Sequence, residues 1–147
     1  MAIEDIIAKM SRKEKIRFCT GADFWRTKAR RGIPSFAMAD GPHGLRVQAG
    51  KKDMLGVCQS LPATCFPAAV TAAAAWNPEL YAAEGRAIGL EAAAAGITLV
   101  LGPGCNIKRD PHCGRNFEYL SEDPFLSGRL AAAYVRGMQE TGVSACL

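Results

Sequence analysis

The sequence has no long apolar run. The uncharged stretch from Ser60 to Pro78 is rich in alanine and holds three prolines and Asn77. That is too weakly apolar to span a bilayer, and no membrane partner is expected. The first ten residues, MAIEDIIAKM, place acids where a secretory leader needs basic residues and lack a long apolar core. The expected compartment is the cytoplasm. No two of the six cysteines form CxxC, which removes a zinc ribbon or a thioredoxin-type redox pair. There is no GxxxxGK[ST] or GxGxxG, and Gly102-Pro103-Gly104 is not followed directly by a helix, so no phosphate loop is read. A GxSxG nucleophile elbow is also missing.

What is present is an ordinary globular composition. The chain has 147 residues, a net charge of +4, 49% hydrophobic and 22% charged residues, which excludes a disordered chain. The length suits one small domain or a piece of a larger one. The charge is uneven: residues 1–66 carry +6 and residues 67–147 carry −2. A basic half can attract nucleic acid. Here, however, the basic residues of KMSRKEKIRF alternate with apolar ones, as on the wet face of a helix. No nucleic-acid partner is expected. Cys105, His112 and Cys113 can supply three metal ligands, but their spacing fits no usual pattern and a fourth would have to come from afar. Buried free thiols are expected instead, with no metal and no cofactor.

Along the chain, residues 3–10 read as a short helix with Ile3, Ile6, Ile7 and Met10 on one face. Ser11 and Glu14 form a capping box for a second helix to about Cys19. Residues 21–35 read as irregular, and FAMAD, residues 36–40, as a buried strand running into a long loop over 41–66. A helix of small residues follows over 67–76. Asn77 and Pro78 then start a helix with Leu80, Ala83, Ala87, Leu90 and Ala94 on one face. Gly96 stops it, and ITLVL, 97–101, is a second strand. After a polar loop over 102–122, Asp123 and Pro124 start a helix to about Thr141, with Leu126, Leu130, Ala133 and Gly137 facing inward. VSACL, 143–147, is a third strand.

Apolar strands alternating with helices of this length predict an α/β fold with a parallel sheet and right-handed crossovers. In such folds chemistry sits where strands run into helices. The long loops of this chain lie there. A third strand with nothing after it points to an interrupted βα series, since a closed eight-stranded barrel needs roughly 250 residues.

Asp40 ends the first strand and precedes Gly-Pro-His-Gly. It either accepts hydrogen bonds from ligand hydroxyls or caps its own turn. His43 is a general base, a ligand contact or packing, and Arg46 is a partner for Asp40 or another acid. The loop 102–124 gathers Lys108, Arg109, Asp110, His112, Arg115, Glu118, Glu122 and Asp123 with Phe117 and Tyr119. Arginine forks hold hydroxyl or carboxylate oxygens in a plane, and aromatic faces suit sugar rings. A carbohydrate pocket and a loop held by internal salt bridges both fit. Glu118 and Glu122 are not read as a catalytic pair, because acid and nucleophile must flank a bond from opposite sides.

Five segments carry a family resemblance: KIRFCTGADFW, MADGPHGLR, LPATCFP, AAEGRAIGLEAAAAGITLVLGPGCNIKRDPHCGRNFEYLSEDP and LSGRLAAAYVRGMQETGVSACL. Through them nearly the whole chain resembles the N-terminal part of glycoside hydrolase family 3, the β-glucosidase group. The resemblance implies that residues 1–147 are the N-terminal portion of a (β/α)8-like TIM-barrel catalytic domain, ending after about its third strand. It implies retaining hydrolysis of terminal β-linked glucose or a similar sugar. Asp40 matches the family Asp that binds sugar hydroxyls in the −1 subsite, and Arg115 matches the family Arg that does the same. His43, Arg46 and Glu118 are expected to support that pocket. The family's nucleophile and acid/base carboxylates lie beyond the point where this chain stops. No residue is therefore expected to be catalytic, and the chain alone is expected to be inactive, with the C-terminal part of the parent as its missing partner. The alternative is a non-catalytic sugar-binding or structural remnant. The two differ in whether the reading frame continues past Leu147.

Overall fold

A computed structural model describes residues 3–30, 32–50 and 58–147. Part of the expected 41–66 loop, residues 51–57, lies outside the described residues. Helix α1, Ile3–Ala8, leads to α2, Arg12–Phe18. Both halves of the capping box form: Ser11 Oγ accepts from the Glu14 backbone, and Glu14 accepts from the Ser11 N–H at 2.9 Å. Such a cap is worth about 1 kcal/mol. No residue of α1 or α2 is buried, although Met10 beside them is. Residues 21–30 and 32–37 carry isolated antiparallel bridges, Gly21 with Thr27 and Arg26 with Ala37.

Strand β1, Met38–Asp40, is followed after the long loop by α3, Ala69–Ala73, and α4, Pro78–Ala94. Asn77 caps α4, accepting from the Leu80 N–H at 3.0 Å, with Pro78 at the first helical position. Strand β2, Leu99–Leu101, follows, then α5, Pro124–Gln139, and β3, Ser144–Cys146. Asp123 caps α5 by accepting from the N–H groups of Phe125 and Leu126, each at 3.1 Å. Gly96 takes φ +71° after α4, with Gly96 N–H to Ala93 O and Ile97 N–H to Ala92 O closing the helix end.

The strands form one parallel sheet in the order β1-β2-β3. Ala39, Val100 and Ala145 make its central row, and Asp40, Leu101 and Cys146 its C-terminal row. The core lies where this sheet meets α4 and α5, around Val100, Ile88, Ala92, Leu130, Tyr134 and Met138. Among the described residues no helix is long and apolar enough to cross a membrane.

Two expectations are corrected. The α4 face bearing Leu80 and Leu90 points outward, and both leucines are exposed. The inward face is Tyr81, Glu84, Gly85, Ile88, Gly89 and Ala92. The reason is backbone proximity: a Cβ on Gly85 would lie 2.3 Å from the Tyr134 carbonyl oxygen, and one on Gly137 would lie 2.0 Å from that of Ala82. Small residues let α4 and α5 touch directly. The inward face predicted for α5 is observed, with Leu130, Ala133 and Gly137 buried. The thiols are free but not buried: Cys19, Cys65, Cys113 and Cys146 are exposed, and Cys58 and Cys105 are half-buried. They sit on loops, at a helix end and on the edge strand β3; of the six only half-buried Cys105 packs against the core.

Candidate functional site at the strand ends

The paired ends of β1 and β2 set the geometry of the site. Because Asp40 and Leu101 are register partners in parallel strands, the segments after them leave the same edge of the sheet. The first is the turn Gly41–Gly44; the second is the 102–122 loop. They are packed together: a Cβ on Gly102 would come 2.9 Å from the Pro42 α-carbon. Further along, Gly104 sits so close to the next part of the loop that its Cβ would lie 2.7 Å from the Glu118 carbonyl oxygen. A 3₁₀ turn, Asn116–Glu118, follows Arg115 there.

Asp40 is half-buried. Its carboxylate accepts from the Gly41 N–H at 2.9 Å, so it caps its own turn and retains acceptor capacity. Arg46 meets Asp40 through the backbone, its N–H donating to the Asp40 carbonyl at 2.9 Å. Its side chain is exposed and forms no ion pair with Asp40. That corrects the expected side-chain pairing: the bridge turns the chain back on itself and sends the guanidinium outward.

His43 is half-buried, and its carbonyl accepts from the Phe66 N–H at 2.8 Å. Burial pushes its imidazole below the ordinary histidine pKa, while the nearby carboxylates of Glu118 and Asp40 pull it back up. His43 therefore lies in the field of one acid from each loop. Its Nε2 is buried without a hydrogen-bond partner.

Glu118 is largely buried, with 18% of its side chain exposed, and accepts from the Nε of Arg115. The Arg115 side chain is 71% exposed, and its guanidinium carbon lies 5.8 Å from the centre of the Tyr119 ring. Its remaining donors face solvent, where a planar acceptor can meet them. The loop also carries its own stays: the His112 backbone donates to Asp110 Oδ1 at 2.9 Å, and Asn116 Nδ2 donates to the Asp110 carbonyl. So the internally braced loop foreseen as one reading is present, and it leaves Arg115 outward. Asp40, His43, Glu118 and Arg115 are brought into one neighbourhood. Arg46 is adjacent in the backbone only. Lys108, Arg109 and Glu122 form no side-chain pair among the described residues, and no group of three His, Cys, Asp or Glu is placed to hold a metal.

A cavity of about 580 Å³ lined by Leu45, Val47, Leu61, Thr64 and Glu91 opens beside the turn, but contains neither Asp40 nor Arg115. Two supporting residues escape a sequence reading. Tyr134 is wholly buried and donates its hydroxyl to the Pro42 carbonyl at 3.2 Å. Glu84 is buried beneath it, and its carboxyl is pushed up to about 7 by desolvation. Tyr134 follows Leu130 by four residues, so its inward direction is readable; a hydrogen-bond partner 92 residues away is not.

Residues 19–147 match the model of the Glycosyl hydrolase family 3 N terminal domain. The chain is 52% identical to thermostable β-glucosidase B of Acetivibrio thermocellus, covering 99% of this chain and 20% of that protein. It is 42% identical to an exo-α-(1→6)-L-arabinopyranosidase of Bifidobacterium longum, covering 96% of this chain and 19% of the relative. The fold is similar to β-glucosidase 3B from Thermotoga neapolitana in complex with α-D-glucose, with a TM-score of 0.85 and 35% identity over 98% of this chain and 22% of that one. The chain thus spans about a fifth of the length of the curated relatives it matches. With a family match across most of its length and structural likeness throughout, this chain belongs to glycosyl hydrolase family 3, in the N-terminal domain of that family.

Proposed function

We propose that residues 1–147 form the first three strands, with their helices, of a (β/α)8-like catalytic barrel. In the complete product of the reading frame, that barrel performs retaining hydrolysis of terminal β-linked glucose or a similar sugar. Asp40 and Arg115 bind hydroxyls of the sugar in the −1 subsite, Asp40 as acceptor and Arg115 as a fork of donors. His43 and Glu118 support them, and Arg46 braces Asp40 through its backbone N–H.

The observation that carries this reading is the convergence of two loops at one sheet edge, with His43 in the field of both Asp40 and Glu118. It supports a shared pocket for the two matched residues. The identity to a β-glucosidase and to an arabinopyranosidase supports a sugar substrate and leaves its exact identity broad.

Retaining hydrolysis needs two carboxyl groups about 5–5.5 Å apart on either side of the scissile bond. Within this chain Glu118 is engaged by Arg115, and Asp40 accepts from its own turn. Both suit binding roles. The nucleophile and the acid/base come from outside residues 1–147, and the chain alone does not turn over substrate. A 2-deoxy-2-fluoro glucoside that traps the glycosyl-enzyme tests this. Peptide mapping of the complete product is expected to find the label on a carboxylate outside residues 1–147. A label on Asp40, Glu118 or Glu122 would overturn the assignment.

A further inference from the structure

We infer that Tyr134 is a positioning residue, whose hydroxyl fixes the turn bearing Asp40 and His43. The inference rests on the sugar-site reading above. Besides its local bonds from Gly44 N–H to the Gly41 carbonyl and from Arg46 N–H to the Asp40 carbonyl, the turn has three further ties. At its start the Gly41 N–H donates to Asp40, and at its end the Phe66 N–H donates to the His43 carbonyl. The middle tie is the Tyr134 hydroxyl on the Pro42 carbonyl, at 3.2 Å. It alone of the three reaches a helix of the opposing core.

The other end of this tie cannot move easily. Tyr134 is 0% exposed, and its ring meets the Tyr81 ring at 5.1 Å with a 43° tilt. Behind its backbone lies Gly85, where even a Cβ would come within 2.3 Å. Gly102 also packs against Pro42, leaving no room for a Cβ. Pro42 is therefore held both by the β2 loop and by a hydroxyl delivered from the α4–α5 pair. Desolvation, with Tyr81 and Glu84 nearby, raises the Tyr134 pKa, so the hydroxyl keeps its proton and remains a donor.

A tyrosine that only filled the core would do its work through the ring. One that positions the turn does it through the oxygen, and its effect passes through Asp40. Tyr134→Phe keeps the ring and deletes the oxygen. The experiment measures the Kd for glucose and the Tm of the complete product for wild type, Tyr134→Phe, Asp40→Ala and the double variant. Kd is read well below each Tm, so that only folded molecules are scored. Tyr134→Phe is expected to weaken glucose binding by about three- to tenfold, the size of one neutral hydrogen bond. In the Asp40→Ala background it is expected to have little further effect, because the turn no longer carries the acceptor it orients.

A lowered Tm with unchanged Kd, or full additivity with Asp40→Ala, would overturn the positioning role. Loss of glucose binding in none of the variants, Asp40→Ala included, would instead refute the sugar site itself. Should Tyr134→Phe fail to fold, Gly102→Ala displaces Pro42 with Tyr134 intact. An unchanged Kd and unchanged coupling to Asp40→Ala in that variant would equally overturn the inference.

Discussion

Gly102, the first residue after β2, packs against Pro42, the second residue after β1, so closely that no side chain fits between them. This contact joins the two segments that follow Asp40 and lead to Arg115, the residues proposed to bind the sugar. Gly102→Ala would place its Cβ 2.9 Å from the Pro42 α-carbon and Cβ. Backbone must yield, and overpacking of this kind costs about 1–3 kcal/mol. The expected outcome is a lower midpoint in urea unfolding, with glucose affinity of the complete product reduced in parallel. An unchanged midpoint would show that the two loops are not in contact.

Asp40 and Arg115 are expected to behave differently from Gly102. Neither fills the core, and the Arg115 side chain is 71% exposed. A hydrogen bond from a charged group to a sugar hydroxyl contributes roughly 1.5–3 kcal/mol. If that contact tightens at the transition state, its loss lowers kcat/KM by about one to two orders of magnitude. Asp40→Ala in the complete product should therefore lower kcat/KM by at least about tenfold with little change in Tm. Arg115→Ala should do the same and also release Glu118. A clear loss of Tm with kcat/KM intact would make both residues merely structural.

Glu84 gives the fold a pH dependence with a definite sign. Burial raises its carboxyl from 4.5 to about 7. Between these values the folded chain holds a proton that the unfolded chain has released. Stability therefore falls as pH rises from about 4.5 to about 7, by up to about 3 kcal/mol. His43, whose pKa is lowered, acts in the opposite sense: its contribution is lost as pH falls below its ordinary value of 6.5. Glu84→Gln isolates the first effect. Urea midpoints measured from pH 5 to 8 should decline less steeply in that variant. Identical slopes in wild type and variant would refute the assignment.

Most elements of the fold were legible because their ends are marked chemically. Ser11 with Glu14, Asn77 with Pro78, and Asp123 with Pro124 are helix starts that depend on local hydrogen bonds, and each appears where its residues stand. Gly96 and Gly142 end helices with φ of +71° and +81°. The buried face of α4 was not legible, because hydrophobic periodicity favours Leu80 and Leu90 while close packing selects Gly85 and Gly89. Of the site, Asp40 could be read from its place at a strand end. The approach of Glu118 to His43 could not, since it depends on register between strands far apart in the chain.

The chain taken alone is expected to show apolar surface. Trp76 is 74% exposed, Phe125 74% and Leu90 59%, and β1 and β3 are the edges of the three-stranded sheet. Such edges and patches favour association. The purified 147-residue chain should enhance ANS fluorescence and elute from size exclusion in part as aggregate. A sharp, reversible thermal transition in a monomeric sample without ANS binding would contradict this.

The central claim is that this chain supplies sugar-binding groups to a glycosidase whose reacting carboxylates lie elsewhere. Its most direct test is hydrolysis of an aryl β-glucoside, assayed side by side for the 147-residue chain, the complete product and the complete product carrying Asp40→Ala. The account predicts no turnover by the chain, turnover by the complete product, and at least about a tenfold loss of kcat/KM in the variant. Hydrolysis that follows the 147-residue chain through purification and disappears on Asp40→Ala would contradict it.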